Sequence, residues 1–220
     1  ISALSGRKEI FNSQFSPIPQ RSELATGQAI FKEIQMPMLS LLISGGHTEL
    51  ILSREWMKYE YLGRTRDDAV GEAFDKVARL LGLPYPGGPE ISRLALEARN
   101  SNLSASFKLP RPMIHEKNLD FSFAGLKTAV LRQVEANTPI SDEFRKQIAR
   151  EFEDAVTEVL VSKTIRAIES YDVRTLVIGG GVSANKNIRS CFSEACTRAD
   201  VQLLVPPPEF ATDNALMIAL

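Results

Sequence analysis

The stretch "RTLVIGGGVSANKNIRSCFSEAC", continued by "VQLLVPPP", constrains the fold of this chain more than any other. Four β-forming residues run into three glycines, a helical pattern follows, and a second β-forming run ends in prolines. A buried strand, a glycine turn, a helix and a second strand make a βαβ unit, which implies parallel strands and an α/β protein. Upstream, residues 38–43 and 49–53 are short β-rich runs on either side of "SGGHT", a strand-turn-strand signal that implies antiparallel pairing. The expectation is therefore an α/β fold with a mixed sheet.

The remaining periodicities supply helices. Val70, Phe74, Val77 and Leu81 recur at helical spacing, with Asp67 or Asp68 as the expected cap and Gly82 as terminator. "GLPYPGGPEIS" interrupts regular structure, and a helix is expected from about Glu90 to Arg99. Residues 105–120 read as loop, and another helix starts near Gly125. Ser141, Asp142 and Glu143 make a helix start, after which Phe144, Ile148, Phe152, Val156 and Leu160 repeat towards Ile168, predicting a long helix with one packed face. Residues 1–36 form a weakly specified lead-in with a short helix expected between Leu24 and Ile34.

With 220 residues, 44% of them hydrophobic and 24% charged, the chain can bury a sizeable core as one large domain or two small ones. Its net charge of -1 offers no global basic field, so an RNA partner would need a local basic surface or a second subunit. Cys191 and Cys196, five apart in a helical pattern, suit neither a disulfide framework nor a four-ligand zinc site and read as structural thiols. No apolar run reaches the roughly 18 residues of a membrane span, and the first residues lack a signal pattern. A cytoplasmic protein is expected. The sequence begins at Ile1 and stops inside "NALMIAL", the pattern of a helix just starting, so both ends are expected to be incomplete.

Several residues carry chemistry. Gly179, Gly180 and Gly181 at a helix start allow backbone N–H groups to approach a phosphate or ribose, although the spacing is neither G-x-G-x-x-G nor a P-loop, and a plain tight turn also explains them. Asn185 offers an amide to a hydroxyl or base edge, or is a solvated polar residue. In the SGGHT turn, Gly45 and Gly46 permit positive φ and close backbone approach, while Ser44 and Thr48 offer hydroxyls, so an anion or acyl phosphate has a cradle. No carboxylate is placed to make His47 part of a triad, and a structural histidine is the simpler reading. Asp75 shares a polar helix face on which Glu72–Lys76 and Asp75–Arg79 are ordinary ion pairs. Asp213 reads as a helix cap or a metal ligand. Lys127 and the set Lys108, Arg111 and Lys117 are solvent contacts or a polyanion surface.

Read together, "LLISGGHTEL", "DDAVGEAFDKVARLLGLPYPGGP", "LDFSFAGLKTAV", "AREFEDAV", "LVIGGGVSAN" and "PPEFATDNALMIA" closely resemble, in unbroken order over about residues 37–220, the TsaD family. Its members make threonylcarbamoyladenosine at position 37 of tRNAs reading ANN codons, and the YPGGP segment is similar to the bacterial branch. The resemblance implies the fold of the actin, Hsp70 and sugar-kinase (ASKHA) superfamily, with residues 37–205 as the second α/β lobe, a helical insertion at about 85–150, and residues 206–220 starting a return to the first lobe. It implies that Leu42, Ile43, Ser44, Gly45 and Gly46 hold the acyl-phosphate part of threonylcarbamoyl-AMP. Asp75 and Gly88 would contact its ribose and adenine side, Asn185 would bind the nucleotide, and Asp213 would be a ligand of a divalent metal, iron or zinc.

In the implied reaction the N6 amine of adenine attacks the carbonyl of a mixed anhydride and AMP leaves, with aimed backbone donors stabilising the developing charge and no protein nucleophile. TsaB- and TsaE-like partners, tRNA and a possible dimer come with the resemblance, as does a cytoplasmic or, in an organellar homologue, mitochondrial location. The family's His-x-x-x-His pair before the SGGHT strand has no counterpart in "RSELATGQAIFKEIQ", which contains no histidine. The alternative is a non-catalytic nucleotide-binding scaffold that has lost the metal site. A metalloprotease is opposed by the lack of an H-E-x-x-H helix.

Overall fold

The computed structural model describes residues 34–207 and residue 211. The chain divides into two compact units, Ile1–Gln35 and Met36–Leu220, and the fold below is that of the second. Asp213 and all but the last residue of the helix expected over residues 24–34 lie outside the described residues.

The strands are β1 (Met38–Ile43), β2 (Thr48–Glu55), β3 (Lys58–Arg64), β4 (Thr175–Gly179) and β5 (Gln202–Leu204). The helices are α1 (Val70–Leu80), α2 (Gly87–Asn100), α3 (Ala124–Ala136), α4 (Asp142–Tyr171) and α5 (Lys186–Ala199), with a 3-10 turn at Gly181–Ala184 before α5. The strands form one mixed sheet in the order β3-β2-β1-β4-β5. β1 runs antiparallel to β2 and parallel to β4, and β4 is parallel to β5. The α/β class with a mixed sheet is as expected.

Alternation builds the core. Leu39, Leu41 and Ile43 of β1 are fully buried, and Leu50 and Leu52 of β2 and Leu176 and Ile178 of β4 lie beside them on the same face. The apolar stripes of α1 and α4 complete this core, with the rings of Phe74 and Phe152 meeting edge to face at 5.0 Å. Ser141 caps α4 as the sequence implies, accepting the Phe144 N–H at 3.1 Å. Gly82 ends α1 with φ of +70°, as a helix terminator should. Cys196 fits a structural thiol: it is buried and its pKa is pushed up to about 11 by that burial, while Cys191 is half-buried.

Three local expectations are corrected. β3 was not anticipated, because "KYEYLGR" is an edge strand whose first four residues are all exposed and so carries no burial alternation. α2 starts at Gly87, three residues before the expected Glu90: first-turn positions need no intrahelical N–H bond, so Pro89 is tolerated there. Neither Asp67 nor Asp68 caps α1, whose N-cap is Ala69. Asp67 instead accepts the N–H groups of Phe123 and Ala124 at the head of α3, and Asp68 binds Lys76 at 2.6 Å.

Candidate functional site

β1 and β4 end side by side, with Leu42 paired to Gly179. From these ends the chain leaves in opposite directions, towards β2 on one side and β5 on the other. A parallel pair whose exits diverge opens a crevice beyond the carboxyl ends of the strands, the usual ligand position in an open α/β sheet. Both exits are the glycine turns singled out in the sequence.

The 44–48 turn is closed by its own serine. The Ser44 N–H donates to the His47 carbonyl at 2.9 Å, and Ser44 Oγ accepts the N–H groups of Gly46 at 3.2 Å and His47 at 3.0 Å. The Gly45 N–H donates to no described residue. Neither glycine has positive φ, which among described glycines occurs at Gly82 and Gly180. A Cβ at Gly45 or Gly46 would meet no atom within 4 Å. Leu42 is 37% exposed while the Ile43 side chain is in the core, so of the implied cradle Ile43 contributes backbone alone. Thr48 belongs to the scaffold: its hydroxyl is buried and accepts the Val70 N–H at 2.8 Å. With the Gly71 N–H donating to the Ser44 carbonyl at 3.1 Å, the first amides of α1 are docked onto the turn. A Cβ at Gly71 would come within 2.7 Å of that carbonyl oxygen, which is why the docking is so close.

Asp75 lies farther along α1. Glu72 pairs with Lys76 as expected, at 3.0 Å. The expected Asp75–Arg79 pair is absent among the described ion pairs; Asp75 Oδ1 instead accepts the Gly87 N–H at 2.7 Å and caps α2 from outside. Gly87 is packed against Ala78 and Asp75, whereas Gly88 has open space around it. One turn on, Ser92 of α2 accepts from Asn185 Nδ2 at 2.8 Å. Asn185 is the N-cap of α5, its Oδ1 accepting the Ile188 N–H at 2.9 Å. Its second amide proton goes to Glu153 Oε1 at 2.6 Å, and Glu153 Oε2 takes Arg99 at 2.5 Å. The 44–46 turn, the head of α1, Asp75, the head of α2 and Asn185 are thus joined by successive contacts into one rim. Ser183, on the same 3-10 turn, has a buried hydroxyl with no partner among the described residues.

Sequence reasoning missed Ser92, Arg99 and Glu153, and it read the Thr48 hydroxyl as part of the cradle where it instead holds the Val70 N–H. For Glu153 a signal exists: it follows Phe152 and sits four residues before buried Thr157, so a carboxylate falls inside the packed face of α4.

Other candidates are placed apart. Arg111 is no polyanion contact, since its guanidinium binds Glu151 at 2.5 Å and Glu158 at 2.8 Å. Both described histidines, His47 and His115, are exposed. Among the described residues no three His, Cys, Asp or Glu side chains gather into a metal site. These residues do not fit a metal centre, and no chemical step is assigned to one. No helix among them is long and apolar enough to cross a membrane.

The family described as tRNA N6-adenosine threonylcarbamoyltransferase, TsaD, matches residues 12–220. Relatives bearing that name include proteins of Chromobacterium violaceum, 49% identical over 189 residues, and Staphylococcus aureus, 42% identical over 195 residues. These alignments cover 84% and 87% of this chain but 54% and 55% of the relatives. The chain thus spans about half the length of the curated relatives it matches. On this agreement of family, relatives and glycine-turn motifs, the chain belongs to the TsaD family.

Proposed function

We propose that this chain is the nucleotide-holding part of a tRNA N6-adenosine threonylcarbamoyltransferase, which transfers the threonylcarbamoyl group from threonylcarbamoyl-AMP to N6 of adenosine 37 in tRNAs reading ANN codons. The observation that carries the reading is the pair of glycine turns at the adjacent ends of β1 and β4, with Gly45, Gly46 and Gly88 open to an occupant. In this reading the acyl phosphate lies over residues 42–46, where the free Gly45 N–H is a donor to its oxygen. The ribose and adenine lie towards Asp75, Gly88 and Asn185. Attack by the N6 amine on the anhydride carbonyl expels AMP, and the turn's contribution is to hold the leaving group and meet the developing negative charge.

The names of the relatives favour this transferase over a non-catalytic scaffold. The mixed sheet, ordered β3-β2-β1-β4-β5, supports a lobe of the actin, Hsp70 and sugar-kinase superfamily as the proposed fold, with residues 37–205 proposed as the second lobe and residues 206–220 as the return to the first. Asp213 is proposed as ligand to the family's divalent metal, whose remaining ligands are not among the described residues. tRNA, TsaB- and TsaE-like proteins in the cytoplasm, and a second copy of the protein are its proposed partners. The test is reconstitution: the protein with such partners, tRNA, threonine, bicarbonate, ATP and an adenylate-forming enzyme yields threonylcarbamoyladenosine. Intact adenylate with no modified tRNA would overturn the proposal.

A further inference from the structure

We infer that Glu153 is a positioning residue of this site: it fixes which way round the Asn185 carboxamide stands, so that Asn185 meets the nucleotide only as a hydrogen-bond acceptor. The inference rests on the nucleotide reading above and adds a rule about what the site selects.

A carboxamide has two N–H donors on nitrogen and two lone pairs on oxygen. At Asn185 both donors are engaged, by Ser92 Oγ at 2.8 Å and Glu153 Oε1 at 2.6 Å, and one lone pair takes the Ile188 N–H at 2.9 Å. The orientation follows from chemistry rather than from telling O and N apart. A carboxylate only accepts, so nitrogen must face Glu153, and an amide N–H only donates, so oxygen must face Ile188. Turning the group over would set oxygen against carboxylate and N–H against N–H, both in part-buried surroundings.

Glu153 is itself held. It is 1% exposed, and its other oxygen is bound by Arg99, which also pairs with Asp154. The carboxylate therefore has neither water nor freedom to swing away, and α2, α4 and α5 meet at the one amide. What Asn185 has left for a ligand is the second lone pair of Oδ1. A ribose hydroxyl or an amine satisfies it, whereas a phosphate oxygen or a carbonyl is repelled. This accounts for a division of labour along the rim: N–H groups of the 44–46 turn for the phosphate, an acceptor at Asn185 for the sugar or base.

The test is calorimetry of the full chain with AMP, 2′-deoxy-AMP, 3′-deoxy-AMP and IMP: the two deoxy compounds each lack one ribose hydroxyl, and IMP carries a carbonyl in place of the N6 amine. The wild-type protein is expected to lose roughly tenfold in affinity, the scale of one hydrogen bond, for at least one of the three. In Glu153→Gln the amide can turn over, and that discrimination falls to about twofold. A purely structural role would weaken all four ligands by one common factor. That common factor, or a wild type indifferent to all three analogues, overturns the inference. If Glu153→Gln does not fold, the wild-type Asn185 side-chain amide decides by NMR: its two protons keep their NOEs to the Ser92 and Glu153 side chains when AMP is added, and NOEs from them to the nucleotide in place of those overturn the inference. Failure of the wild type to bind AMP at all is a separate outcome and refutes the nucleotide reading itself.

Discussion

At Gly180 a methyl group would stand 2.4 Å from the carbonyl oxygen of Ile43, on backbone whose φ of +93° side chains disfavour; at Gly45 and Gly46, one strand away, it would meet nothing within 4 Å. The first turn is glycine because the chain folds back on β1. The second is glycine for no reason internal to the described residues. Gly71 and Gly87 behave like Gly180, each pressed against backbone, and Gly88 behaves like Gly45 and Gly46. Similar turns in the sequence thus separate into glycines that close the fold and glycines that leave room for something outside it.

Substitution separates the two kinds. Gly180→Ala must displace the end of β1 and is expected to lose about 3 kcal/mol or more of stability, measured by urea denaturation. A normal transition would put Gly180 in the other class. Thr48→Val removes the buried acceptor of the Val70 N–H, through which the 44–48 turn is fixed to α1, and should lose about 1–3 kcal/mol in the same measurement. Asp75→Ala uncaps α2 at Gly87 and is expected to lose about 1 kcal/mol, while Asp75→Asn, which keeps an acceptor, loses less.

A control lies away from both turns. The Arg111 guanidinium beside Glu158 holds that carboxyl below its usual value. A carboxyl lower in the folded than in the unfolded chain stabilises above the unfolded value, about 4.3, and that contribution is lost as the pH falls through the folded one. Arg111→Met should therefore lower stability at neutral pH slightly and flatten its decline below about pH 4.3, as followed by thermal melts across pH. An unchanged acid limb would show the pair to be without effect.

Much of the fold was legible because its signals are local. The alternation in β1, the stripe of α4, the Ser141 cap and the strand-glycine-helix order of β4 and α5 each need only a few neighbouring residues to be read. The parts that escaped depend on partners far along the chain. Thr48 binds Val70, 22 residues away, and Asp67 binds Phe123, 56 residues away, so neither pairing leaves a pattern in its own segment. Asp75 was visible as a member of a polar helix face and Asn185 as a polar residue after the glycines, but their bonds to Gly87, Ser92 and Glu153 required the helices to be brought together. The candidate site was thus legible as a set of motifs, and its support was not.

The central claim, that the 44–46 turn is kept open for a nucleotide rather than for the fold, is tested most directly by Gly45→Ala with Gly46→Ala, measured for both stability and AMP affinity. The predicted result is a change in stability within about 0.5 kcal/mol, with either sign allowed, and a loss of AMP affinity of tenfold or more. Unchanged affinity in a stably folded variant would contradict the account.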